Sequence, residues 1–198
     1  MKFAFVLLLA LTACSSYQVT PAGRTVRTGT DYETVVEKNS DKIRRYSGFY
    51  NTLDMEATLL NSEVAAAQLD QSAMLYQWDE KKYNEEKAKF ENRLSKQTEV
   101  FLSFFTPERK NDELYKANTM WKIFLDVDGK RYEGKATKVK LQLPEIQALY
   151  PFHNRFYTPY SVVFPVPMRS LEGKAMMMTV TGPVGSGVLE FNAQQAAK

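Results

Sequence analysis

The chain has 198 residues, with 26 basic and 23 acidic side chains, one histidine, one cysteine, and 44% hydrophobic and 13% aromatic residues. That length suits one ordinary domain with its own core, and the nearly balanced charge excludes the electrostatic signature of a nucleic-acid binder. A single cysteine excludes an internal disulfide, and one cysteine with one histidine falls short of a Cys/His zinc site, so stability must come from packing.

Met1-Lys2 opens the chain with one positive charge, and Phe3 to Leu11 follows as an unbroken apolar run. The run has signal-peptide length and is far short of the roughly 20 residues that span a bilayer. Thr12-Ala13-Cys14 comes next, two small residues before the only cysteine. This "LTAC" segment resembles the lipobox of bacterial lipoproteins. The resemblance implies that residues 1–13 are a signal peptide cut at the Ala13 to Cys14 bond, and that the Cys14 sulfur carries a diacylglyceryl group. A thiol suits that chemistry because its thiolate is a far better nucleophile than a serine hydroxyl. At about 0.8 kcal/mol per buried methylene, two or three acyl chains make a stable anchor. Ser15 stands after the cysteine where an aspartate would imply retention at the inner membrane, so the resemblance implies the outer membrane. The competing reading is a secreted protein whose leader happens to end near a cysteine.

Residues 14–30 read as the lipidated cysteine and a flexible tether, because "SSYQVTPAGRTVRTGT" is rich in Ser, Thr, Gly and Pro without helical or strand periodicity. Fully extended, residues 15–30 reach at most roughly 55 Å. A strand and a helical hairpin fill residues 31–97. "DYETVVEKNSDKIRRYSGFYN" admits a short helix, and "TLDMEATLL" then alternates, with Leu53, Met55, Ala57 and Leu59 on one face. Period two predicts a half-buried strand with Asp54, Glu56 and Thr58 on its wet face, the two acids simply solvated. Ser62 is placed to cap the helix "EVAAAQLDQSAMLYQW", and Asp79 to start "EKKYNEEKAKFENRLS", where Tyr83, Phe90 and Leu94 share a stripe. The stripe favours a hairpin packed on the domain over an exposed partner-binding hairpin.

Residues 98–198 return to alternation. Val100, Leu102 and Phe104 share one side of "TEVFLSFFT"; Trp121, Ile123, Leu125 and Val127 share one side of "TMWKIFLDV". "RYEGKATKVKLQL", "YSVVFPV", "KAMMMTVT" and "GVLEF" continue the series, and Pro165 and Pro167 end a strand or mark an edge. Six or seven strands with one helical insertion predict an α+β fold: an immunoglobulin-like β-sandwich with an inserted or packed helical hairpin.

Three motifs carry candidate chemistry. "DVDGK", Asp126 to Lys130, resembles the start of a calcium loop but lacks the acid near residue 137 that an EF-hand needs, so Asp128-Gly129 reads as a tight hairpin turn. "TGPVGSG" has phosphate-loop glycine spacing without the lysine, and a strand follows instead of a helix. "YPFHNRFYTPY" is the densest aromatic segment, and Tyr150, His153, Arg155, Tyr157 and Tyr160 are its candidate partner-binding residues. Its aromatics could stack on sugars or insert into a partner, although closing one end of the sandwich is the favoured reading.

"FFTPER", "WKIFLDVDGK", Tyr150-Pro151, "YSVVFP" and "TGPVG" are similar to segments of a group of uncharacterised bacterial envelope lipoproteins that join a helical part to a strand-rich domain. The resemblance brings no activity with it. The expectation is a lipid-anchored envelope protein with a structural or interaction role, binding an envelope protein or glycan, not an enzyme, and with no cofactor or metal. The alternatives are a glycan or small-ligand module using the Tyr/Phe-rich loops, and a carboxylate-dependent hydrolase. Two facing acids without a basic partner in a deep cleft would favour the hydrolase, and an exposed aromatic patch would favour binding.

Overall fold

The computed structural model describes residues 17–19, 25–27 and 30–191. Cys14, the expected signal peptide of residues 1–13 and residues 192–198 lie outside them. Strands β1 (Tyr17–Val19) and β2 (Thr25–Arg27) pair antiparallel within the stretch expected to be a structureless tether. Tyr, Val and Thr are the strand-favouring residues of that stretch, and β2 runs alongside a helix of the folded body.

Helix α1 (Thr30–Lys38) leads into β3 (Ser40–Ser47), and β3 turns back into β4 (Tyr50–Leu59). Ser47 and Tyr50 close that hairpin around Gly48 and Phe49. Gly48 has φ +60, a conformation that side chains with a Cβ resist at the first position of a hairpin turn. Leu53, Met55 and Ala57 of β4 are buried, as the alternation predicts. Its opposite face is not wet, however. Asp54 and Thr58 are buried too, because helices and the chain around residue 157 cover that side.

Helices α2 (Ser62–Leu75) and α3 (Glu80–Lys96) form the hairpin. Asn61 caps α2, its side-chain oxygen accepting from the Val64 amide at 2.9 Å. The expected cap, Ser62, is instead the first helical residue, and its amide and hydroxyl both donate to Glu172. Asp79 caps α3 as expected, accepting from the Lys82 amide at 2.7 Å. Leu69 and Ala73 of α2 and Tyr83 of α3 form a small core of their own, with Trp78 and Phe90 beside it. Helix α2 buries one face on the body, whereas α3 meets it mainly through Leu94, which packs against the main core, and Tyr83 is its only buried residue.

The remaining elements are β5 (Thr98–Phe105), β6 (Lys122–Val127), β7 (Lys130–Glu133), β8 (Lys135–Lys138), α4 (Leu143–Leu149), β9 (Thr158–Phe164), β10 (Met176–Gly182) and β11 (Gly185–Phe191). Asp128 and Gly129, both with positive φ, make the two-residue turn between β6 and β7. The stretch "RYEGKATKVKLQL", expected to be one strand, divides at Gly134 between two sheets. It is followed by α4, in which Pro144 fits the first turn and the Glu145 carboxylate accepts from the Gln142 amide at 2.9 Å.

The result is an α+β fold with two antiparallel sheets, ordered β3-β4-β5-β9-β8 and β11-β10-β6-β7. One core fills the space between them: Leu53, Leu102, Phe104, Tyr160 and Phe164 from the first sheet meet Leu125, Met178 and Leu189 from the second. Each fully buried aliphatic or aromatic side chain contributes about 1.5–3 kcal/mol. The sheets come together at the Gly134 corner and where β11 lies against β3, with the Glu190 amide donating to Asp41 at 2.8 Å. A second core lies on the outer face of the five-stranded sheet. There Tyr32 and Val36 of α1, Val64 and Ala67 of α2, and Ile146 of α4 cover Phe101.

Candidate functional site

The aromatic segment 150–160 divides into an interior half and an exposed half. Tyr150 lies flat on Phe101, with ring centroids 3.6 Å apart and an interplanar angle of 3°. His153 is buried against the same phenylalanine, edge-on at 5.9 Å, and its Nδ1 is 2.8 Å from the Ser103 hydroxyl. Burial pushes the imidazole below its ordinary range. Tyr160 sits in the main core and donates its hydroxyl to Asp112 Oδ1 at 2.9 Å. These three candidate residues therefore present no side-chain surface to a partner. Tyr150 and His153 meet the outer face of β5, which the helices cover, and Tyr160 points from β9 into the core between the sheets.

Ser103 and His153 form a pair that sequence spacing does not bring together. Both are almost wholly excluded from solvent, at 1% and 2% exposure, and no acid is hydrogen-bonded to the imidazole among the described residues. A nucleophile needs a substrate within reach, so this pair acts in the core as a satisfied polar contact.

Arg155 and Tyr157 lie in the other half. Arg155 is exposed, its guanidinium 5.3 Å from the Phe156 ring centroid, and Phe156 is 64% exposed. Tyr157 packs on Phe105 at 5.6 Å between centroids and donates its hydroxyl to Asp54 at 2.8 Å. Asp54 also holds the exposed Arg44, which lies opposite it across the β3–β4 register. Arg44 is additionally within hydrogen-bonding reach of the Tyr46 hydroxyl.

This chain of contacts joins the loop at 154–157 to the tip of the β3–β4 hairpin. At the tip Phe49 is fully exposed, Tyr50 is 81% exposed and Tyr46 57%. Phe49, Tyr50 and Tyr46 thus form an exposed aromatic edge on the hairpin beside Arg44 and Arg45, and the loop carrying Arg155 and Phe156 is tied to the stem of that hairpin through Tyr157 and Asp54. "RRYSGFYN" lies in the stretch read as admitting a short helix; its mixed periodicity showed neither the β3–β4 hairpin nor that its aromatics face out.

A groove of about 730 Å³ opens on another side, between α1, β3 and the Pro151-Phe152 turn. Glu33, Glu37, Asp41 and Glu56 line it together with Lys38 and Lys42. Burial pushes Glu56 above the usual carboxylate range, and Lys42, directly opposite it across the strand pair, acts against that shift. Lys38 is 3.1 Å from Glu63. The two acids of β4 thus each face a cation on β3, Asp54 with Arg44 and Glu56 with Lys42, which is the cross-strand pairing that stabilises antiparallel strands. The acids of "DVDGK" are paired as well. Asp126 holds Arg131 at 2.7 and 2.9 Å, and Asp128 holds Lys174 at 2.8 Å. "TGPVGSG" forms the β10–β11 hairpin, closed at Gly182 and Gly185.

A comparison of the chain with protein-family models, curated proteins and solved structures finds no match in any of the three.

Proposed function

We propose that the chain is a lipoprotein of the bacterial cell envelope, held at the outer membrane by acyl chains on Cys14, and that its folded body works by binding another envelope component. The observation that carries the interaction role is the exposed aromatic edge. Large aromatic side chains are the commonest anchors of binding surfaces, and three exposed ones, Tyr46, Phe49 and Tyr50, stand on one hairpin here beside Arg44 and Arg45. The cross-strand cations opposite Asp54 and Glu56 favour this reading over a carboxylate-dependent hydrolase, which would want its acids unmatched. A glycan stacked on Phe49 and Tyr50 is the alternative occupant of the edge. The similarity to envelope lipoproteins with a strand-rich domain belongs to the same proposal. So does the immunoglobulin-like class of the sandwich, which is supported by two antiparallel sheets about one core.

The test is a photo-crosslinking amino acid placed at position 49 in the full chain in cells. The expected result is a reproducible adduct with one envelope component, absent when the probe is placed at exposed Lys87 on α3. Equal, diffuse labelling from both positions would overturn the interaction role.

A further inference from the structure

Three features of the molecule converge on the same edge. The hairpin tip is convex, a two-residue turn carrying a fully exposed phenylalanine next to a tyrosine, Phe49-Tyr50. A projecting tip matches a deformable apolar medium better than a flat protein face. Second, the flanking charge is positive. Arg45 on the hairpin and Arg155 on the neighbouring loop are both exposed, and neither is ion-paired among the described residues. Third, the body starts close to Cys14. Tyr17 is already in β1, which pairs with β2, and β2 runs alongside α2. Only Ser15 and Ser16 lie between the cysteine and that strand, so Cys14 and Tyr17 are at most about 11 Å apart.

We infer that the envelope component met by this edge is the anionic lipid surface itself: Phe49 and Tyr50 enter the interfacial region while Arg45 and Arg155 contact lipid phosphates. This rests on the anchored reading above, and gives that anchor a second, weaker contact. Aromatic rings sit at the headgroup level of bilayers, and basic residues near the surface are attracted to anionic lipid. One apolar entry plus a few charges gives reversible attachment, which suits orienting a body already held by its acyl chains. The short spacing from Cys14 keeps the body beside the membrane, where such a contact can form.

The test uses the chain from Ser15 to Lys198, which retains every described residue, with vesicles of phosphatidylcholine alone or mixed with phosphatidylglycerol. The expected result is sedimentation with the mixed vesicles that weakens as salt is added. Phe49→Ala should lower that binding on the order of tenfold, and Arg45→Gln and Arg155→Gln by about fivefold each. Phe49 touches no core residue, so its variant keeps the fold, and a Phe49→Trp variant should show a blue-shifted emission on the mixed vesicles. Binding unchanged by Phe49→Ala, or no binding to the mixed vesicles, overturns the lipid contact. If vesicles are not bound but the crosslinker at position 49 captures one protein or glycan, the lipid contact falls and the interaction role stands. If neither occurs, both fall.

Discussion

The Tyr157 hydroxyl donates, at 2.8 Å, to the same carboxylate oxygen of Asp54 that receives the Nε hydrogen of Arg44. Tyr157 and Asp54 are 103 residues apart, and Asp54 is only 7% exposed, so the bond ties the loop before β9 to the stem of the β3–β4 hairpin. A buried carboxylate must be matched by donors, and here one donor is a phenol half-covered by Phe105. Tyr157→Phe should destabilise the fold by about 1–2 kcal/mol in urea unfolding. A cycle with Asp54→Asn should give a coupling of about 1 kcal/mol. Independent, additive effects would show that the two side chains do not act together.

His153 makes stability depend on pH. The unfolded imidazole protonates near its ordinary value of 6.5, while burial holds the native one lower. The unfolded state therefore binds more protons as pH falls through that range, and the native state loses stability toward acid. Glu56 acts in the opposite sense, since its native carboxyl is shifted upward from 4.5 and takes a proton before the unfolded one. Comparing the wild type with His153→Asn separates the two. The wild-type urea midpoint should fall between about pH 7.5 and 5.5, and the variant should lose most of that slope. Parallel slopes would place the effect elsewhere.

Gly134 is the corner where the chain leaves one sheet for the other. A Cβ there would stand 2.5 Å from Phe164 Cε1 and 2.9 Å from its Cζ. Phe164 is fully buried, so the ring cannot swing into open space. Gly134→Ala should lower stability by about 1–3 kcal/mol through overpacking. Gly185→Ala is the control, because its Cβ would meet nothing closer than 3.6 Å, at Leu53 Cβ. The thermal midpoint should drop clearly more for the first variant than for the second, and equal drops would refute the corner argument.

Period-two alternation identified the inner face of β4, β5, β6 and β9 because those side chains point into one core, and two-residue turn chemistry identified the bend at Asp128-Gly129. The same alternation misassigned the outer face of β4. Asp54 and Thr58 look solvent-facing by sequence, and only the packing of distant segments covers them. Gly134 was invisible as a corner for a related reason: a strand-forming run continues across it, and what divides the run is the approach of Phe164. The short helix α4 was hidden because "VKLQL" continues a strand pattern up to Pro144. At the candidate site, the aromatic density of 150–160 was legible, but tertiary packing decided between core and surface: Tyr150 lies on Phe101 beneath the helices, Tyr160 points between the sheets, and Phe156 stays on the open loop. The more exposed aromatics, at Phe49 and Tyr50, had to be found in three dimensions.

Cys14 lies outside the described residues, and its role is testable without them. Alanine removes the only thiol in the chain, so no sulfur is left to accept a diacylglyceryl group. Cys14→Ala should abolish incorporation of labelled fatty acid and move the protein out of the membrane fraction. The leader left uncut has nine apolar residues from Phe3 to Leu11, well below a bilayer span of roughly 20, so it is a poor substitute anchor. Any residual membrane association should then come from the aromatic and arginine edge, and should be removed by salt, because its charged part is screened while acyl burial is not. Wild-type protein should resist the same wash. An unchanged, salt-resistant membrane fraction in the Cys14→Ala strain would refute the lipid anchor, and a variant fully released before any salt is added would argue against the second contact.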